Sequence, residues 1–185
     1  MDISELPEYI GALNCLKTKF KNRIEVVVGL EIEFILMYLD YYQDLHNMPG
    51  LDMLMIGQHF YQHEDGRYSF SDPPEHRKSA EAQGTVSAII QGINTRLFSV
   101  VAHPDRCFRY IDNWSHTENE LAEQLIQAAI HNQVSLEQNE SSKRKAGLYR
   151  PEFWNKLHST DETHSVRIIK GLDAHSVKEL EMLTT

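Results

Sequence analysis

The sequence predicts an α/β protein built on a parallel sheet, and three observations carry that reading. Short apolar segments of strand length alternate with helical patterns five times along the chain, the order expected of βα units with right-handed crossovers. The first of these segments is a near-continuous apolar run, as in a buried parallel strand. Four of them also run straight into metal-ligating residue types: Val26–Glu31 (VVVGLE), Met53–His59 (MLMIGQH), Leu97–His103 (LFSVVAH) and Val166–His175 (VRIIKGLDAH). In barrels and open α/β sheets, active sites gather at the carboxyl ends of the strands. Four strands that end this way point to one site. The 185 residues suffice for a single domain with a sizeable core, and residues 1–185 are read as one.

The elements follow in order. Glu5–Lys21 reads as a helix because Leu6, Tyr9, Ile10, Leu13, Leu16 and Phe20 recur at 3–4-residue spacing. Strand Ile24–Phe34 follows, then a helix over Ile35–Leu45, a Pro49-Gly50 turn and strand Met53–Phe60. Residues 61–74 are polar and aromatic with a double proline, and read as a loop. Pro74 opens a helix over Glu75–Ile93. Strand Leu97–His103 precedes a loop, and Thr117-x-x-Glu120 reads as the capping box of helix Glu118–Asn132. Val134–Gln138 is a short strand, and 139–150 (NESSKRKAGLYR) a basic loop in an acidic protein. Pro151 opens a short helix to about His158. Ser165–Leu172 is the last strand, and Ser176 caps a final short helix.

Composition excludes several classes. A net charge of −9 argues against a nucleic-acid surface, which needs a positive field. No apolar run approaches the roughly 20 residues that span a bilayer. The N-terminus MDISELPEYIG has neither the basic nor the apolar region of a signal peptide, so a cytoplasmic location is expected. Cys15 and Cys107 form no C-x-x-C and are read as free thiols. Of the 10 histidines, His59, His103 and His175 follow apolar strands, and the others sit in polar or helical surroundings.

Imidazole and carboxylate together suit Zn, Mn or Fe. Glu31, His59 and His103 would give a three-ligand set with a position left for water or substrate, the pattern of catalytic rather than structural sites. Asp173-x-His175 would send both side chains to one face of an extended segment. Taken singly, each position is more ordinarily a solvated carboxylate or a hydrogen-bonded core histidine. Taken together they suit phosphoester hydrolysis, in which clustered metals acidify water and clamp the reacting oxygens.

The segments GLEIEF, IGQHFY, AHPDR, LEQNESS and GLDAH also stand in the order of the blocks of the PHP (polymerase and histidinol phosphatase) superfamily, and resemble its histidinol phosphatase branch. The resemblance implies a distorted (β/α)7, TIM-like barrel with about five strands retained here. It also implies a metal-dependent phosphomonoesterase with one to three divalent ions, one being expected in this chain. Glu31 resembles the carboxylate that bridges two metals, and His59 and His103 resemble further ligands of one of them. Asp173 resembles a ligand of the second and His175 of the third. Arg144 resembles an arginine that holds the substrate phosphate. The family opens with a His-x-His strand, whereas no histidine precedes Gly29 here, so an N-terminally truncated relative is expected. Gln58 stands where a small residue is usual, and Glu140-Ser141-Ser142 where Thr-x-Gly is usual. Partners expected on this reading are a small phosphorylated substrate and a second copy of the chain, with no nucleic acid and no membrane. The alternative is a degenerate fragment that binds metal or a phosphorylated small molecule without turnover.

Overall fold

The computed structural model describes residues 3–73, 78–145, 147–160 and 166–184. Within these residues five strands form one sheet: β1 (Gly29–Ile32), β2 (Met53–Ile56), β3 (Val100–Val101), β4 (Ser135–Asn139) and β5 (Ile168–Gly171). They lie side by side in chain order, and every pairing is parallel. That order is the one a βα barrel uses. Among the described residues the sheet does not close, so β1 and β5 are its edges.

Among the described residues seven α-helices accompany the sheet: α1 (Leu6–Phe20), α2 (Leu39–His46), α3 (Lys78–Asn94), α4 (His116–Asn132), α5 (Glu140–Arg144), α6 (Pro151–His158) and α7 (Val177–Thr184). Helices α2 to α6 lie in the crossovers, because a parallel connection must travel back the length of the sheet. Among the described residues no helix is long and apolar enough to cross a membrane.

Register gives the sheet two unlike faces. Ile32, Ile56, Val101 and Leu136 lie in one row across four strands. Leu54, Ile56, Val101 and Leu136 are almost fully buried, against Tyr42 and Leu45 of α2, Val86, Ile89 and Ile93 of α3, and Leu125, Ile126 and Ala129 of α4. Each such burial contributes about 1.5–3 kcal/mol. Leu6 and Ile10 of α1 join the same core. Glu31, Met55 and Val100 form the neighbouring row, on the opposite face because strand side chains alternate. Glu137 and Asn139 share that face by the same period.

Several boundaries differ from the sequence reading. The strands are shorter, with β1 four residues long and β3 two. In the apolar run before β1 only Val28 is buried, while Ile24 and Val27 are 59% and 53% exposed. The run lies on the edge, which α1 covers only in part. The capping box of α4 is Ser115 with Glu118, not Thr117 with Glu120. The Glu118 carboxylate accepts from Ser115 N at 2.9 Å, and the Ser115 hydroxyl caps the helix from two residues earlier than expected. Within the basic loop, Glu140–Arg144 forms α5, because the Asn139 side chain accepts from Ser142 N at 2.8 Å. Ser176 caps α7 as expected, accepting from Glu179 N at 3.2 Å. The Pro74 helix start lies outside the described residues. Cys15 and Cys107 are both free.

Candidate metal centre

All five strand ends open into one place. A cleft of about 480 Å³ at the carboxyl end of the sheet is lined by Glu31, Glu33, Gly57, His59, His103, Arg106, Lys145, Asp173 and His175. A groove of similar size between α3 and α4 is lined mainly by amides and aliphatic side chains, with Glu120 the one carboxylate, and offers no ligand set.

Glu31, His59 and His103 each present a ligand atom within 4.8 Å of the other two. The imidazole rings of His59 and His103 have centroids 4.9 Å apart, and His103 Nε2 lies 3.2 Å from Glu31 Oε1. That hydrogen bond holds the Glu31 carboxyl below the usual carboxylate range, against a smaller opposing effect of burial. An ionised carboxylate with two imidazoles is a donor set suited to a borderline divalent ion. Gly57 makes room for it: a Cβ built there would sit inside the Glu31 side chain.

Carboxylates behind the ligands fix their orientation. Glu33 accepts from His59 N at 2.9 Å and lies 2.7 Å from His59 Nδ1. A carboxylate acceptor places the proton on Nδ1 and leaves the Nε2 lone pair for a metal, the arrangement that supports histidine ligands. Arg109 donates to His59 O at 3.0 Å while paired with Glu81 at 2.6 Å, which ties the ligand to α3. Glu137 accepts from His103 N at 3.1 Å. Burial pushes the Glu137 carboxyl up. It occupies a cradle beside Gly171, where a Cβ would sit within its carboxylate. His103 has a left-handed backbone, φ 31°, which turns the chain abruptly into Pro104–Phe108. Such a conformation is uncommon for a residue with a side chain. His103 Nδ1 is buried and finds no hydrogen-bond partner among the described residues.

Gln58 does structural work beneath this layer. Its amide accepts from Phe34 N at 2.8 Å and donates to Phe34 O at 3.2 Å and Phe60 O at 2.6 Å. A buried side chain thus extends the β1–β2 pairing past the last backbone rung and keeps Glu33 alongside His59. The larger residue at this position is therefore used by the fold.

Asp173 and His175 both line the cleft, but not as an extended pair. β5 ends at Gly171 and Asp173 is left-handed, φ 49°. His175 is exposed, with Nδ1 2.9 Å from Asp173 O and 3.6 Å from Asp173 Oδ1. Among the described residues the three-ligand group does not include them. Arg144 is exposed on α5, where it donates to Met182 O at 2.8 Å, and it is not among the residues that line the cleft. The cations that do line it, Arg106 and Lys145, were not singled out by the sequence.

No protein-family model matches this chain, and no curated protein sequence matches it. Solved structures do. One is a candidate histidinol phosphatase from Listeria monocytogenes, with a TM-score of 0.70 and 18% identity over 97% of this chain and 75% of that one. Another is histidinol phosphate phosphatase from Lactococcus lactis subsp. lactis, solved with zinc, L-histidinol and phosphate. Its TM-score is 0.68 and its identity 21%, over 96% of this chain and 72% of that one. At these identities the likeness establishes the fold: an α/β sheet of the (β/α)-barrel kind.

Proposed function

We propose that this chain is a metal-dependent phosphomonoesterase of the PHP type. The observation that carries the reading is the convergence of Glu31, His59 and His103 at three strand ends, with Glu33 and Glu137 tied to the two histidines. A divalent ion held there supplies Lewis-acid charge, acidifying water and offsetting the charge on a phosphate. Glu31 provides the anionic ligand, His59 and His103 the neutral ones, and Asp173 and His175 stand at the rim as partial ligands for further ions. The Lactococcus neighbour's complex with zinc, L-histidinol and phosphate favours zinc and a histidinol-phosphate-like substrate, and with them a place in histidine biosynthesis.

A second reading is supported by the same geometry. Only one three-ligand group forms among the described residues, which suits a domain that holds one ion and a phosphorylated ligand without turnover. Elemental analysis beside a phosphomonoester assay separates the two. The enzyme reading expects hydrolysis that chelator abolishes and Zn, Mn or Fe restores. Stoichiometric metal with no turnover selects the binding domain. Hydrolysis that persists without metal rejects both.

A further inference from the structure

Among the described residues, two cations of the cleft make no side-chain hydrogen bond or ion pair. Arg106 lies in the turn that follows His103, with its backbone N donating to His103 O at 2.9 Å. Its guanidinium is half-buried, and Nε is sealed from solvent with no hydrogen-bond partner among the described residues. Lys145 enters the same cleft from the end of α5. Their cationic neighbours are occupied. Arg109 is paired with Glu81, Lys143 with Glu140 and Gln138, and Arg144 with Met182 O. Burial and Arg109 weigh against the charge of Arg106, while Asp173, Glu31 and Glu33 favour it. A buried cation costs folding energy unless it is paired. A half-buried guanidinium that lines the cleft of a ligand set, with no partner among the described residues, is therefore unlike a surface arginine.

The charges of the cleft set the condition under which these cations act. Glu31, Glu33 and Asp173 outweigh Arg106 and Lys145 by one negative charge when the histidines are neutral. One divalent ion reverses the sign. Without metal the cleft repels a phosphate dianion, and with metal it attracts one.

Resting on the phosphoesterase reading, we infer that Arg106, assisted by Lys145, is the clamp for the phosphoryl oxygens, and that it engages phosphate only in the metal-loaded protein. The planar fork of a guanidinium suits two phosphate oxygens at once, whereas an ammonium adds a point charge. Arg144, spent on Met182, is not the clamp.

The test is calorimetric titration of inorganic phosphate into chelator-treated and zinc-loaded protein, with zinc content measured for every variant. Wild type should bind phosphate only when loaded. Arg106→Ala should keep its zinc and lose about ten- to a hundredfold in phosphate affinity, the range of a charge-assisted pair. Arg106→Lys, which keeps the charge and is gentler on the fold, should fall between. Lys145→Ala should lose about threefold, roughly 0.7 kcal/mol as for an exposed pair, and Arg144→Ala nothing. Zinc retained with unchanged phosphate affinity in both Arg106 variants overturns the clamp alone, as does an equal affinity with and without zinc. Failure of the wild type to take up metal overturns the phosphoesterase reading and the clamp with it.

Discussion

Gly57 belongs to the metal centre although it donates nothing to it. The Glu31 carboxylate occupies the space that any Cβ at residue 57 would fill, with no alternative short of moving the ligand. Gly57→Ala should therefore lower zinc affinity by about ten- to a hundredfold, the range for losing a group that orients a ligand, and leave the fold cooperative. Zinc affinity equal to wild type would show that Glu31 does not bind from this position. Glu31→Gln removes the carboxylate charge and keeps its shape, so metal binding and any phosphomonoester turnover should both fail. His103→Ala should be comparably harmful. His131, exposed in the last turn of α4, should be silent when changed to Ala, within about 0.5 kcal/mol of stability. The three ligands were legible in the sequence because each closes a short apolar segment, Glu31 and His103 directly and His59 one residue after Gln58. Glu33 was available through the same argument, since Glu31 and Glu33 share a face at period two. Arg106 and Lys145 were not, because turn geometry and the end of a five-residue helix aim them, and neither has a periodic signature.

At the level of elements, the alternation of strands and helices was readable, and their lengths were not. The sequence shows where apolar residues run, whereas a strand lasts only as long as its neighbour pairs with it. β3 illustrates this: Leu97–His103 is largely apolar, yet its backbone reaches both neighbours only over Ser99–Val101, Ser99 N donating to Leu54 O and Ser99 O accepting from Ser135 N. Beyond the last backbone rung of β1 and β2, the Gln58 amide takes over the pairing. Removing it leaves Phe34 N and O without partners in a buried position, at about 1–3 kcal/mol per group. Gln58→Ala should consequently lower the melting temperature by several degrees, since about 1 kcal/mol corresponds to 2–4 °C in a chain of this size. Because Glu33 would loosen from His59, the same variant should also bind zinc more weakly. A melting temperature within one degree of wild type, at equal zinc affinity, would show that the amide is incidental.

For the whole molecule, the decisive feature is the edge at β1. Among the described residues β1 pairs with β2 alone. Helix α1 covers part of it, with Tyr9 Oη donating to Gly29 O at 3.1 Å and Leu6 and Ile10 buried against the core. The cover is incomplete: Ile24, Val27, Leu36 and Met37 remain 53–66% exposed on the segments that flank β1. An open strand edge beside apolar side chains favours pairing with another chain, and a second copy joined about a two-fold axis is the simplest closed arrangement. Light scattering on the protein at micromolar concentration should thus give twice the chain mass. Val27→Lys with Met37→Lys places charge on the edge and should return the monomer, with zinc binding at Glu31, His59 and His103 preserved because none of the three changes. A wild-type monomer at that concentration would mean that α1 suffices to protect the edge, and that the sheet is stable in water with β1 half covered.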